Sequence, residues 1–125
     1  MPETARPETL TVPSVPRSVA AVRRFAVAAC VGAADEVCET VALLVSEVAT
    51  NALVHGSGDV EVSVTVRAGV LRVEVADGSI DAPVPRSADP EAEGGRGLAL
   101  VDALSSAWGT ALTPTGKTVW FELAT

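Results

Sequence analysis

The chain's clearest pattern is an alternation. Val60, Val62, Val64 and Val66 alternate with Glu61, Ser63, Thr65 and Arg67, and Leu71, Val73 and Val75 alternate with Arg72, Glu74 and Ala76. A period of two puts every second side chain on one face, so each run predicts a strand with one buried side. Ala68-Gly69 between them predicts a tight turn, and the pair forms a β-hairpin ending at Asp77-Gly78.

Upstream, the period lengthens. Val41, Val45, Val48 and Ala52 recur at helical spacing, and the helix is expected over Ala34–Val54. Asp35 and Glu36 in its first turn complement the helix dipole, and Gly56 closes it. Val19, Val22, Ala26, Val27 and Cys30 predict an earlier helix over about 17–31, ended by Gly32. Thr9–Val12 reads as a short strand. Downstream, Leu98, Val101 and Leu104 predict a helix over about 98–107. Trp108–Leu112 and Thr118–Leu123 predict a closing antiparallel pair, joined by a turn over Thr113–Lys117. Residues 1–8 read as a flexible N-terminal tail, and 9–125 as a single domain. The order β-α-α-β-β, then a long aperiodic stretch, then α-β-β predicts an α+β fold. It is a two-layer α/β sandwich, with a mixed, mostly antiparallel sheet and helices on one face.

That aperiodic stretch, Ser79–Gly94, holds Pro83, Pro85 and Pro90, several acids and Arg86. A loop of this length inside a small domain is either functional or a sign of a wrong element assignment, and its composition suits a mobile lid.

Composition narrows the function. The 125 residues carry a net charge of −7, which argues against binding a phosphate backbone directly. Aromatics are 3% of the chain, so the core has to be built from Val, Leu and Ala. The most apolar run, Phe25–Val31, is too short to span a bilayer, and the N-terminus has no signal-like apolar region. No membrane association is expected. Cys30 and Cys38, both among apolar neighbours, are expected to be buried free thiols in a reducing cytoplasm.

Two phosphate-binding motifs fail on inspection. Gly116-Lys117-Thr118 lacks the earlier glycine of a P-loop, where Ala111 stands, and a strand follows instead of a helix. Gly95-Arg96-Gly97 opens a dinucleotide fingerprint whose next glycine is replaced by Leu100. With His55 as the single histidine, no Ser-His-Asp triad can be assembled.

What remains is an ordered constellation. Glu47 and Asn51 climb one side of the central helix, about 120° and 80° from the centre of its buried stripe, at roughly 100° per residue. Alone, such a pair is an ordinary solvated one. Asp77-Gly78 ends a strand, Gly95-x-Gly97 precedes a helix, and Lys117-Thr118 lies on the last strand. In this order the segments LLVSEVATNALVHG, VEVADGS, GGRGLALVDALSSAWG and GKTVWFEL resemble the N box, G1 box, G2 box and closing strand of the GHKL (histidine-kinase-like, Bergerat-fold) ATPases. Within that superfamily the chain is most similar to the anti-sigma regulatory factor branch, which are serine-protein kinases. The resemblance covers about residues 9–124.

The resemblance implies ATP and Mg²⁺ as cofactors. It assigns Asn51 to Mg²⁺ through its amide oxygen and Glu47 as general base toward a serine hydroxyl. Asp77 would accept a hydrogen bond from the adenine amino group, with Thr118 near Asp77 and the base. Gly78 and Ser79 complete the G1 box, and Gly95, Arg96, Gly97 and Leu98 would approach the phosphates, with Arg86 or Arg96 steadying the γ-phosphate. The family's G1 box reads Asp-x-Gly; here Ser79 places a side chain where that glycine stands. His55 lies inside the N box and no separate dimerisation helix is seen, so the phosphate is expected to go to another protein. The implied partners are a sigma factor and an anti-anti-sigma (STAS-type) protein, with a possible homodimer formed through the Thr9–Val12 strand and first helix. The alternative is a non-catalytic regulatory binding module of the same fold, with weak or lost ATP binding.

Overall fold

The structure is a computed structural model that describes residues 7–78 and 95–125. Most of the N-terminal tail, the proposed lid, Ser79 and Arg86 lie outside the described residues.

The hairpin forms as its alternation dictates. Strands β2 (Val60–Arg67) and β3 (Val70–Asp77) pair antiparallel, with Val62 opposite Val75 and Val64 opposite Val73. Gly69 makes the reversal at φ +78°, a left-handed conformation that a side chain would disfavour. The chain's last residue is tied to this turn by the Thr125 N–H, which donates to the Gly69 carbonyl at 3.0 Å.

Strand β1 (Glu8–Val12) pairs with the other side of β2. Strands β4 (Ala107–Thr113) and β5 (Gly116–Ala124) form a second hairpin, whose β5 inserts beside β3. The order across the sheet is β1-β2-β3-β5-β4, and every pairing among the described residues is antiparallel.

The helices cover one face. Helix α2 (Asp35–His55) sets Val41, Leu44, Val45, Val48, Ala49 and Ala52 into the core. These meet Val60, Val62, Val64, Leu71, Val73, Val75, Phe121 and Leu123 from the sheet. Burying each Val or Leu contributes about 1.5–3 kcal/mol, so many small apolar side chains stand in for the missing aromatics. Helix α1 (Ser18–Ala28) packs on α2 through Val22 and Ala26. The Ser18 hydroxyl donates to the Pro13 carbonyl at 2.7 Å and holds the entry into α1. The opposite face of the sheet is polar. There Arg72 donates to Glu74 at 2.8 Å and to Glu122 at 2.9 Å, and its guanidinium lies 4.1 Å from the ring centre of Trp120.

Several boundaries move from their sequence-based positions. Helix α1 ends at Ala28, because residues 29–31 turn into the reversal at Gly32, whose φ is +90°. Helix α3 (Gly95–Leu104) begins at Gly95, three residues early, so the glycine pair belongs to its first turn. It ends before Ser105, whose hydroxyl and N–H both return to the Val101 carbonyl. The β4–β5 turn shrinks to Pro114-Thr115, since the ladder continues to Thr113 opposite Gly116.

Helix α2 is a longer apolar segment than Phe25–Val31, though interrupted by polar residues. Over Asp35–Val54 its mean hydropathy is 1.5, which by length and composition would cross a membrane. Here its apolar stripe forms the centre of the core. Both thiols are free; Cys30 is buried, whereas Cys38 is only half-buried.

Candidate functional site

Continuing the inward parity of β3 past Leu71, Val73 and Val75 brings Asp77 onto the core face. Asp77 is 7% exposed and is the one buried charged residue among the described residues. Burial of a carboxylate is expensive unless it is paired, so packing alone would not select it here.

The backbone closes tightly around it. Gly56, just past α2, lies so near that a Cβ there would stand 2.6 Å from the Asp77 Cγ and overlap the Ala52 carbonyl oxygen. A Cβ on Gly116 would collide with the Asp77 carbonyl oxygen. The Gly78 N–H donates to the Ser57 carbonyl at 2.7 Å, linking the end of β3 to the loop after α2.

Beside Asp77 opens a small recess of about 20 Å³, lined by Val48, Asn51 and Ala52 of α2, Val75 and Asp77 of β3, Leu98 of α3, and Lys117 and Val119 of β5. Three of the expected site residues, Asn51, Asp77 and Leu98, therefore meet. Apolar walls with a carboxylate at one end suit a flat heteroaromatic ring bearing an amino donor.

Glu47 lies one turn before Asn51 on α2, half-buried, and does not line the recess. Gly95, Arg96 and Gly97 are backbone of the first turn of α3. His55 ends α2.

Thr118 is placed differently from expectation. It pairs with Ala76, while Asp77 pairs with Lys117. Neighbouring residues of a strand face opposite sides, so Thr118 points to the polar face with Trp120 and Glu122, away from Asp77. Lys117 takes the inward position, and its Nζ stands 3.8 Å from Asp77 Oδ2, with side-chain exposures of 14% and 2%. Sequence reasoning named Lys117 but gave it no role. Lys117 shares the parity of the core residues Phe121 and Leu123, a signal that apolar residues on both faces of this strand mask in the sequence.

The donor set fits the cofactors in part. The apolar walls and the Asp77 carboxylate match the chemistry of an adenine edge, and Asn51 offers a hard amide oxygen of the kind Mg²⁺ takes together with substrate phosphates. No group of three or more His, Cys, Asp or Glu that could hold a metal occurs among the described residues. Among the described residues, Asn51 is the one that would hold the cation, together with the nucleotide's phosphates. When bound, it supplies neutralisation of the phosphate charge.

Residues 12–123 match the family model described as a histidine kinase-like ATPase domain. The histidine kinase domain of a blue-light activated histidine kinase from Erythrobacter litoralis EL346 is similar in structure, with a TM-score of 0.55 and 31% sequence identity. The similarity covers 71% of this chain and 45% of that chain, so the present chain matches less than half of its relative. A search of curated proteins found no match.

Proposed function

The chain belongs to the histidine kinase-like ATPase domain family, and from that membership we propose that it is an ATP-binding regulatory serine-protein kinase of the anti-sigma type. In this reading it sequesters a sigma factor and phosphorylates a STAS-type anti-anti-sigma partner in the cytoplasm. The observation that carries the reading is the joint placement of Asn51 and Asp77 on one recess, with Glu47 a single helical turn before Asn51.

The residues divide the work. Asp77 receives the amino group of the base, between the apolar walls made by Val48, Val75 and Val119. Asn51 would hold Mg²⁺, which would neutralise phosphate charge. Glu47 takes the proton of the partner's serine hydroxyl as the new O–P bond forms and ADP departs. The first turn of α3 presents backbone N–H groups near the recess, a favourable place for anionic oxygens. Homodimerisation through β1 and α1 belongs to the same proposal; β1 is an edge strand of the sheet. Light scattering that finds a monomer at high concentration removes that part.

The test is transfer of radiolabelled γ-phosphate to a STAS-type protein, which Glu47→Ala is expected to abolish while ATP binding persists. Failure of the purified chain to bind Mg-ATP in calorimetry overturns the kinase. A second reading is a binding module of the same fold that holds its partner without phosphorylating it. It is favoured by the Lys117 ammonium standing beside Asp77. Binding of ATP with no transfer to any STAS-type protein would select it.

A further inference from the structure

We infer that Lys117 sets the nucleotide affinity of this recess, acting as a built-in competitor of the nucleotide base for Asp77. The inference rests on the reading of Asp77 as the base-recognising carboxylate.

The geometry is set by the sheet. Asp77 and Lys117 are directly opposed on β3 and β5, on the inward face. The ammonium is thus carried on the residue opposite the carboxylate, while a base has to arrive from solution. Its Nζ lies 3.8 Å from Oδ2, longer than the 2.7–2.9 Å of a closed charge-assisted hydrogen bond. The pair attracts across a gap that belongs to the recess both side chains line.

The surroundings strengthen that attraction. With the carboxylate 2% and the lysine side chain 14% exposed, salt and water screen the pair poorly. Val48, Val75 and Val119 lower the local dielectric further. An exocyclic amine is a neutral donor, so it competes with a full positive charge for the same carboxylate. Lys117 therefore holds nucleotide affinity down without altering the fold. A nucleotide site with this pair saturates only at high nucleotide concentration, which makes occupancy responsive to the supply.

A purely structural counter-ion makes a different prediction. If Lys117 only neutralises a buried carboxylate, removing it lowers stability and brings no gain in affinity. The experiment is isothermal calorimetry of the whole chain with Mg-ATP, for the wild type, Lys117→Met, and Lys117→Met combined with Asp77→Asn, with circular dichroism to confirm folding. The expected result is binding roughly tenfold tighter or better in Lys117→Met, a gain the added Asp77→Asn removes. Equal or weaker binding in a folded Lys117→Met overturns the inference and leaves the ATP reading standing. Absence of binding in the wild type and in the variant overturns both. Should Lys117→Met not fold, Lys117→Gln, uncharged and still able to donate to Asp77, is measured in its place, with tighter binding than wild type expected and unchanged binding overturning the inference.

Discussion

Gly56 and Asp77 are in such close contact that a methyl group on the glycine would stand 2.7 Å from a carboxylate oxygen. Gly56 sits at φ −92°, ψ −170°, an extended conformation open to any residue. Its requirement is therefore for space, since a Cβ would also meet the Ala52 carbonyl oxygen, which α2 holds in place. Gly56→Ala is expected to destabilise the fold by about 2–3 kcal/mol, the usual cost of overpacking, read from the denaturant midpoint.

Glu47 is expected to separate chemistry from binding. Glu47→Gln keeps the size of the side chain and removes the base, so phosphoryl transfer should fall by about 10²–10⁴-fold. Because Glu47 stands outside the recess lining, Mg-ATP affinity should stay within about threefold of wild type. Single-turnover transfer and calorimetry on the same preparation give the two numbers.

Asn51 is expected to carry the dependence on metal. Removing Mg²⁺ with EDTA should weaken ATP binding by the wild type by about 10–100-fold. Asn51→Ala should bind as weakly in Mg²⁺ as the wild type does in EDTA, and EDTA should weaken it little further. Titration of a fluorescent adenine nucleotide under the four conditions measures this.

Cys30 gives a dependence on pH. Burial, reinforced by the neighbouring Cys38 through charge and a side-chain hydrogen bond, pushes its thiol from 9.0 up to about 12. Between these values the unfolded chain releases the proton while the folded chain keeps it. Stability present below pH 9 is therefore lost as pH rises toward 12. Cys30→Ala should flatten that slope, as seen in denaturant midpoints taken at intervals across this window.

Most of the fold could be read from periodicity, for a physical reason. Val60 to Val75 alternate because one face of the hairpin is buried, and Val41, Val45, Val48 and Ala52 share a stripe because α2 lies on that face. The first turn of α3 was less legible. Glycine is a poor helix former, so Gly95 and Gly97 read as loop, although the backbone there is helical. In the site, Asn51 and Asp77 were legible from their motifs and from element ends. Thr118 and Lys117 were not, because a one-residue difference in register exchanges the faces of a strand. The run Val119-Trp120-Phe121 is apolar on both faces and hides the parity. Only the pairing of Asp77 with Lys117 decides it.

Consider, finally, the insertion of β5 between β3 and β4. The walls of the recess come from positions 48–52, 75–77, 98 and 117–119, so the last wall in chain order is supplied by β5. As a ribosome extends this stretch, α2 and the β2–β3 hairpin emerge well before the strand that completes the recess. A ligand that needs all four walls therefore has nothing to grip on a half-made chain, and occupancy by such a ligand reports that these residues have been fully translated and folded.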